Sequence, residues 1–145
     1  MWIYEKKLEY PVKIKCPNMN TANIIISQLG GPDGELGASM RYLNQRYGCP
    51  NSKISGILTD VGTEELAHLE IVAAILYQLT KDLTPDQIAG TPFATYFVDH
   101  TVGVYPASAA GVPFDMKYVG VKGDLLTDLN EDLAADAAIT QEQAL

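Results

Sequence analysis

The feature that most constrains the fold is a long stripe of residues that is apolar except at two positions. Its members recur at alternating steps of three and four, which is the spacing of one face of an α-helix. The stripe consists of Leu58, Val61, Glu65, His68, Val72, Ile75 and Leu79. Burying a carboxylate and an imidazole costs several kcal/mol unless they are paired or coordinate a cation. The stripe therefore predicts a long helix whose inward face carries a functional pair.

Glu65 and His68 form that pair. They are three residues apart, so on a helix they lie one turn apart on the same face and approach one point. That point suits a metal ion. Glu-x-x-His alone is a weak motif that often arises by chance, and a buried hydrogen-bonded pair without a metal is the alternative interpretation.

A second predicted helix offers a third ligand. N-cap candidates and an apolar run predict a helix over about 18–46, kinked near Pro32 where glycines interrupt the pattern. A short turn separates it from the stripe helix, expected over about 53–81, so the two form an antiparallel hairpin. Glu35 lies on a face of the first helix that can meet the second, among small residues that leave room for a metal. Tyr42, two turns on, can hydrogen-bond a ligand.

The remaining segments organise around this hairpin. Residues 1–15 read as an extended arm, with an edge strand or a tail as alternatives. The proline- and glycine-rich stretch 84–123 predicts a long structured crossover, and leucine repetition predicts a third helix over about 124–138. Asp124, Asp128 and Asp132 are spaced by four along that helix, and we expect them to form a solvated face.

Composition narrows the class of protein. A length of 145 residues and an apolar fraction of 47% fit one domain, 1–145. Eighteen acidic residues against ten basic ones argue against nucleic acid or an anionic membrane as partners. Cys16 and Cys49 lack the spacing of a zinc or redox site. No signal peptide or apolar run of transmembrane length is apparent, so we expect a protein that is cytoplasmic when synthesised.

The types of donor atom also narrow the choice of metal ion. Mixed carboxylate and imidazole ligation suits manganese or iron better than zinc, which prefers sulfur and nitrogen. In ferritin-like bundles two helices each give a Glu and two others each give a Glu-x-x-His, enclosing two metal ions. Half of that set is visible in this sequence.

Five blocks of the sequence, in order, resemble the manganese catalase family, and above all its short members, the CotJC-type spore coat proteins. The resemblance runs from Met1 to about Asp136. The blocks are Gly30-Gly-Pro-Asp-Gly-Glu-Leu36, Arg41-Tyr-Leu-Asn-Gln-Arg-Tyr47, the run from Leu58 to Glu70, Ala109-Ala-Gly-Val-Pro-Phe114 and Gly123-Asp-Leu-Leu-Thr-Asp-Leu129. The resemblance implies an all-α, ferritin-like bundle that holds two manganese ions and disproportionates hydrogen peroxide.

The same resemblance implies roles for individual residues. Glu35 matches a terminal carboxylate ligand, Glu65 a carboxylate that bridges both ions, and His68 an imidazole ligand. Tyr42 matches a tyrosine that lies next to the metal ligands and does not itself bind the metal. Asp136 stands where the family has a further ligand Glu, and because its side chain is one methylene shorter, its ligation is in doubt.

The sequence also departs from the family at the end of the bundle. We find no counterpart of the fourth helix, which brings the second Glu-x-x-His. We therefore expect an incomplete bundle in one chain, either a C-terminally short form or one half of a homodimer that shares a metal site. Three functions follow: a dimanganese catalase acting on hydrogen peroxide, a structural component that meets other proteins in the spore coat, or a ferritin-like di-iron oxidase or peroxidase.

Overall fold

The computed structural model consists of helices and loops. It describes Ile3, Glu5, residues 7–30 and 33–89, Asp115, Lys117 and residues 119–143, with side chains up to Ala137. The helices are α1 (Met19–Gly30), α2 (Glu35–Gly48), α3 (Ser52–Thr80), α4 (Pro85–Ile88) and α5 (Leu125–Gln143). Among the described residues there is no strand. Nor does this part of the chain contain a helix both long and apolar enough to cross a membrane.

The helix expected over 18–46 is two helices, so that prediction was wrong. α1 ends at Gly30 and α2 begins at Glu35. Gly34 lies against the end of α1, where a Cβ atom would come within 2.7 Å of the Ser27 carbonyl oxygen. Because a non-glycine residue cannot fit so close to another backbone, glycine at position 34 allows α2 to begin directly against α1.

α2 and α3 form the expected antiparallel hairpin. Asn51 caps α3 by accepting hydrogen bonds from the backbone N–H groups of Lys53 and Ile54, which is what an N-terminal Asn does for unpaired helix donors. Side chains pack across the hairpin in a small core of Ala38, Tyr42 and Leu58. The stripe that predicted α3 is inward, since none of its seven members is exposed.

The other side of α3 is covered by α1 and by the N-terminal residues. Ala22 and Ile26 of α1 pack with Val72, Leu76 and Leu79 in a second core cluster. Before α1 the chain is joined to α3 by the backbone N–H of Asn18, which donates to the Leu79 carbonyl at 3.1 Å, and by the side-chain amide of Gln78. The Gln78 side chain accepts a hydrogen bond from Ile14 N at 2.8 Å and donates one to the Val12 carbonyl at 2.9 Å.

The acidic side of α5 faces the protein, which contradicts the solvated face expected for it. Asp128 and Asp132 are 4% and 6% exposed, whereas Leu126 and Leu133 are 72% and 69% exposed. Asp128 accepts hydrogen bonds from the backbone N–H groups of Lys122 and Gly123. Asp124, at the start of the helix, is exposed as expected. The buried acids are stabilised by donors from other segments, which the spacing of four cannot reveal.

The crossover expected over 84–123 lies mostly outside the described residues, which omit 90–114. Its start contains α4, where Thr84 and Gln87 form a reciprocal capping box. Its end carries Gly123 with φ of 78°, a left-handed conformation that favours glycine.

Candidate metal centre

The hairpin brings Glu35, Glu65 and His68 to one point. Glu35 is the first residue of α2, and the other two lie in the middle of α3. One ligand atom from each residue lies within 4.8 Å of the other two. His68 Nδ1 is 2.8 Å from Glu65 Oε2 and 4.0 Å from Glu35 Oε2. The i and i+3 spacing and the antiparallel pairing predicted from sequence therefore produce a convergent donor set.

Burial dominates the electrostatics of this cluster. The Glu35 and Glu65 side chains are 16% and 15% exposed. Burial, followed by the hydrogen bond and charge of Glu65, raises the pKa of Glu35 to about 8. Burial is the largest single effect and lowers the pKa of His68, but the hydrogen bond to Glu65 and the charges of Glu65, Glu35 and Glu64 together outweigh it, so the net shift is upward. Two buried carboxylates this close need a proton or a cation between them.

The donor set fits a manganese or iron ion. Two carboxylates and one imidazole are the mixed oxygen and nitrogen ligands that these ions accept. Burial and the neighbouring Glu65 raise the pKa of Glu35, and a cation held between the two carboxylates would compensate the charge that burial disfavours. The chain's own residues therefore fit the metal that the sequence suggested.

Tyr42 and Asp136 meet beside this cluster. The Tyr42 hydroxyl donates a hydrogen bond to Asp136 Oδ1 at 3.1 Å. Tyr42 is only 6% exposed, and burial, with Asp136, raises its pKa. Asp136 does not join the convergent group of Glu35, Glu65 and His68. The structure thus places Asp136 against the tyrosine hydroxyl, and α5 reaches the site through that contact.

A second cluster of acidic groups lies on the outer side of His68. Ligand atoms of Glu9, Glu64 and His68 also lie within 4.8 Å of one another, but both glutamates are exposed. This group borders an open cavity of about 870 Å³ between the N-terminal residues and α3. The inner group is the better candidate because its carboxylates are shielded from water and His68 Nδ1 lies 2.8 Å from one of them, Glu65.

Sequence reasoning missed the polar contacts that hold the helices around the site. Ser39 Oγ donates to the Gly62 carbonyl at 2.7 Å, and Gln45 Nε2 donates to Asp132 Oδ1 at 2.8 Å. One signal was available: Tyr42 and Gln45 lie three apart on one face of α2 and offer partners for acids on another helix.

The fold is that of a ferritin-like helical protein, and its carboxylates and imidazole form a candidate metal site. Comparison with known proteins makes this more specific. A family model described as manganese containing catalase matches residues 1–144. The chain therefore belongs to the manganese catalase family.

Individual relatives agree with this assignment. Protein CotJC of Bacillus subtilis (strain 168) is 52% identical over 136 residues, covering 94% of this chain and 71% of CotJC. A probable manganese catalase of Clostridium acetobutylicum is 32% identical over 138 residues, covering 94% of this chain and 61% of that protein. A manganese catalase of Bacillus subtilis is 31% identical over 150 residues, covering 94% and 55%.

A solved structure shares the fold. The manganese catalase KatB from Anabaena matches with a TM-score of 0.85 at 29% identity, over 98% of this chain and 64% of the KatB chain. The ferritin-like helical fold is thereby confirmed. The chain spans less than two thirds of KatB and of the Clostridium and Bacillus catalases, so a large part of each has no counterpart in it.

Proposed function

We propose that this protein is a manganese-binding, catalase-like protein that converts two molecules of hydrogen peroxide to two of water and one of oxygen. The observation that carries the proposal is the convergence of Glu35, Glu65 and His68 across the hairpin. Membership of the manganese catalase family supports manganese as the metal. Iron is the alternative, because the same ligand types accept it.

Glu35, Glu65 and His68 would hold the metal. Two manganese ions, when bound, supply redox equivalents and Lewis acidity. The surrounding helices keep bulk water from the carboxylates, which strengthens their interaction with a cation. His68 is held by Glu65, which fixes the orientation of its ring. Burial and the neighbouring Asp136 raise the pKa of Tyr42 above the ordinary tyrosine value, and its hydroxyl donates a hydrogen bond to Asp136.

The site has too few ligands in the described part of one chain for two metal ions, and this supports a shared site. The His68 side chain remains 35% exposed, and Leu126 and Leu133 present apolar surface on α5. Two copies related by a twofold axis would together bring four Glu and two His to one centre. We therefore propose at least a homodimer.

A structural role is the second candidate function. The resemblance to spore coat proteins and the 52% identity to CotJC favour a chain that keeps the fold and assembles with other coat proteins. In that case the protein, made in the cytoplasm, would reside in the spore coat with little or no turnover.

Elemental analysis of the purified protein, together with its mass in solution and oxygen release from hydrogen peroxide, tests the proposal. Two manganese ions per two chains with oxygen release support a shared catalytic site. Two ions per chain would refute sharing. Metal without oxygen release, or no metal at all, favours the structural role, and bound iron favours the oxidase or peroxidase.

A further inference from the structure

A buried contact between an acid and an amide joins α5 to α2 outside the candidate metal centre. Gln45 and Asp132 are 3% and 6% exposed. Gln45 Nε2 donates to Asp132 Oδ1 at 2.8 Å and to the Gly120 carbonyl at 2.8 Å. Each of the two side chains keeps one buried oxygen without a hydrogen-bond donor, namely Gln45 Oε1 and Asp132 Oδ2. Buried polar atoms nearly always have a hydrogen-bond partner, so two unpaired oxygens on one pair of contacting side chains require an explanation.

A proton on Asp132 provides that explanation. An ionised carboxylate only accepts hydrogen bonds, whereas a protonated carboxyl group also donates one. An acid and a primary amide can then form two hydrogen bonds in one ring, with the amide N–H on one carboxyl oxygen and the acid O–H on the amide oxygen. In such a ring the two unpaired oxygens, Gln45 Oε1 and Asp132 Oδ2, would share the second hydrogen bond. We propose that Asp132 is a neutral carboxylic acid in the folded chain and forms with Gln45 a pH-sensitive latch that positions α5 on α2.

The groups around Asp132 shift its pKa in both directions. Burial is the largest effect and raises the pKa of Asp132. The Gln45 hydrogen bond and the Arg41 charge from α2 lower it, while Asp128 and Asp136 on α5 raise it. The net shift is upward. Arg41 is itself buried, and its closest acidic partner is Asp33, with Nη2 at 3.7 Å from Oδ1.

The latch has a consequence for the site, although it stands independently of the proposed function. Asp136 lies one turn beyond Asp132 on α5, so the latch fixes the part of α5 whose next turn meets Tyr42. Asp132 is in this sense a positioning residue. Ionisation at higher pH removes the O–H donor, opens half of the ring and loosens this contact.

A titration of the side-chain carboxyl carbon of Asp132 by NMR tests the proposal directly in the wild-type chain. The signal is assigned by its loss in Asp132→Asn. We expect a midpoint above the ordinary value of 3.8, with the Gln45 side-chain amide protons shifting at the same midpoint. A midpoint at or below the ordinary value would overturn the latch.

The pH dependence of unfolding gives a second test. Asn in place of Asp132 keeps the ring at every pH, because an amide both donates and accepts. A group whose pKa is raised on folding stabilises most below its unfolded pKa and loses that stabilisation as pH rises through its folded pKa. Wild type should therefore lose stability relative to Asp132→Asn as pH rises from about 3.8.

Asp124, the residue just before α5, provides a matched control. Thr127 hydrogen bonds lower the pKa of Asp124, so wild type should gain stability relative to Asp124→Asn as pH rises. Opposite signs for the two variants support the latch. If wild type also gained on Asp132→Asn with rising pH, Asp132 would be an ionised acceptor and the proposal would be wrong.

Discussion

The Ser39 hydroxyl donates a buried hydrogen bond to the carbonyl of Gly62, 2.7 Å away and 23 residues along the chain. This contact lies one turn from Glu35 on α2 and one turn before Glu65 on α3. Because the helices are antiparallel, it fixes the register in which the two glutamates face each other. The small residues at positions 39 and 62 thus determine whether the carboxylates meet at all.

The first prediction concerns this close approach. A Cβ atom at Gly62 would lie 2.9 Å from Leu43 Cδ2 and 3.0 Å from Tyr42 Cβ, whereas one at Gly56 would meet nothing within 4 Å. Both alanine variants gain similar helix propensity, so only overpacking separates them. We expect Gly62→Ala to be less stable than Gly56→Ala by ~1–3 kcal/mol in urea unfolding. Equal stabilities would mean that the helices can separate freely at this point.

The second prediction concerns the metal ligands. Glu65→Ala should abolish tight manganese binding, because the family resemblance assigns Glu65 to both ions. His68→Ala should weaken binding at least ~10-fold. Metal-free Glu65→Ala should stay folded or gain stability, since a buried carboxylate and its desolvation cost are removed.

Manganese titration followed by EPR of the free ion measures these affinities. Asp60→Ala is the matched control, because Asp60 is an exposed carboxylate on the same helix and should leave binding unchanged. Full metal occupancy in Glu65→Ala would show that the site has been assigned to the wrong residues.

The third prediction separates a ligand role of Asp136 from its contact with Tyr42. If Asp136 accepts a hydrogen bond from Tyr42 and does not bind metal, Asp136→Ala, which removes the acceptor oxygen, and Tyr42→Phe should each cost ~0.5–1.5 kcal/mol of stability. Their combination should cost less than the sum, because both remove the same hydrogen bond. Manganese stoichiometry should be unchanged in Asp136→Ala. Loss of one ion in that variant would instead make Asp136 a ligand.

The fourth prediction concerns the attachment of the N-terminal residues to α3. Gln78→Ala removes both hydrogen bonds that hold Val12 and Ile14. Trypsin should then cleave after Lys13 and Lys15 faster than in wild type, because the local opening free energy falls. Tyr77→Ala, an exposed neighbour on the same helix, is the control. Identical cleavage rates in the two variants would show that other contacts hold this segment.

The fifth prediction concerns assembly. A chelator should lower the stability of the oligomer in a concentration-dependent way, because a metal that binds only the assembled form stabilises it by mass action. Leu133→Ser should weaken association more than Asn130→Ser, since both sites are exposed but only the first removes apolar surface.

Sedimentation at low micromolar protein, with and without chelator, measures both effects. A monomer that carries a full complement of two metal ions would contradict the shared site. An oligomer whose stability does not change with the chelator would support self-association but would contradict a metal site shared between chains.

The sequence by itself determined the features that depend on local spacing. The alternation of three and four predicted α3 and its inward face, and the separation of Glu65 from His68 predicted their contact, because helix geometry alone brings such residues together. The hairpin followed from a short turn between two helical patterns. With Glu35 on the partner helix, the ligand types then pointed to manganese or iron.

Only the tertiary structure decided the features that depend on partners far along the chain. The spacing of Asp128 and Asp132 is compatible with either a solvent-exposed or a buried helix face. They are buried because backbone N–H groups and the Gln45 side chain donate hydrogen bonds to them. Gly34, just before α2, lies so close to the carbonyl oxygens of Ser27 and Gln28 in α1 that a Cβ atom would clash with them. Hydrogen-bond donors and close backbones are positioned by the fold, and the periodicity of one segment carries no information about them.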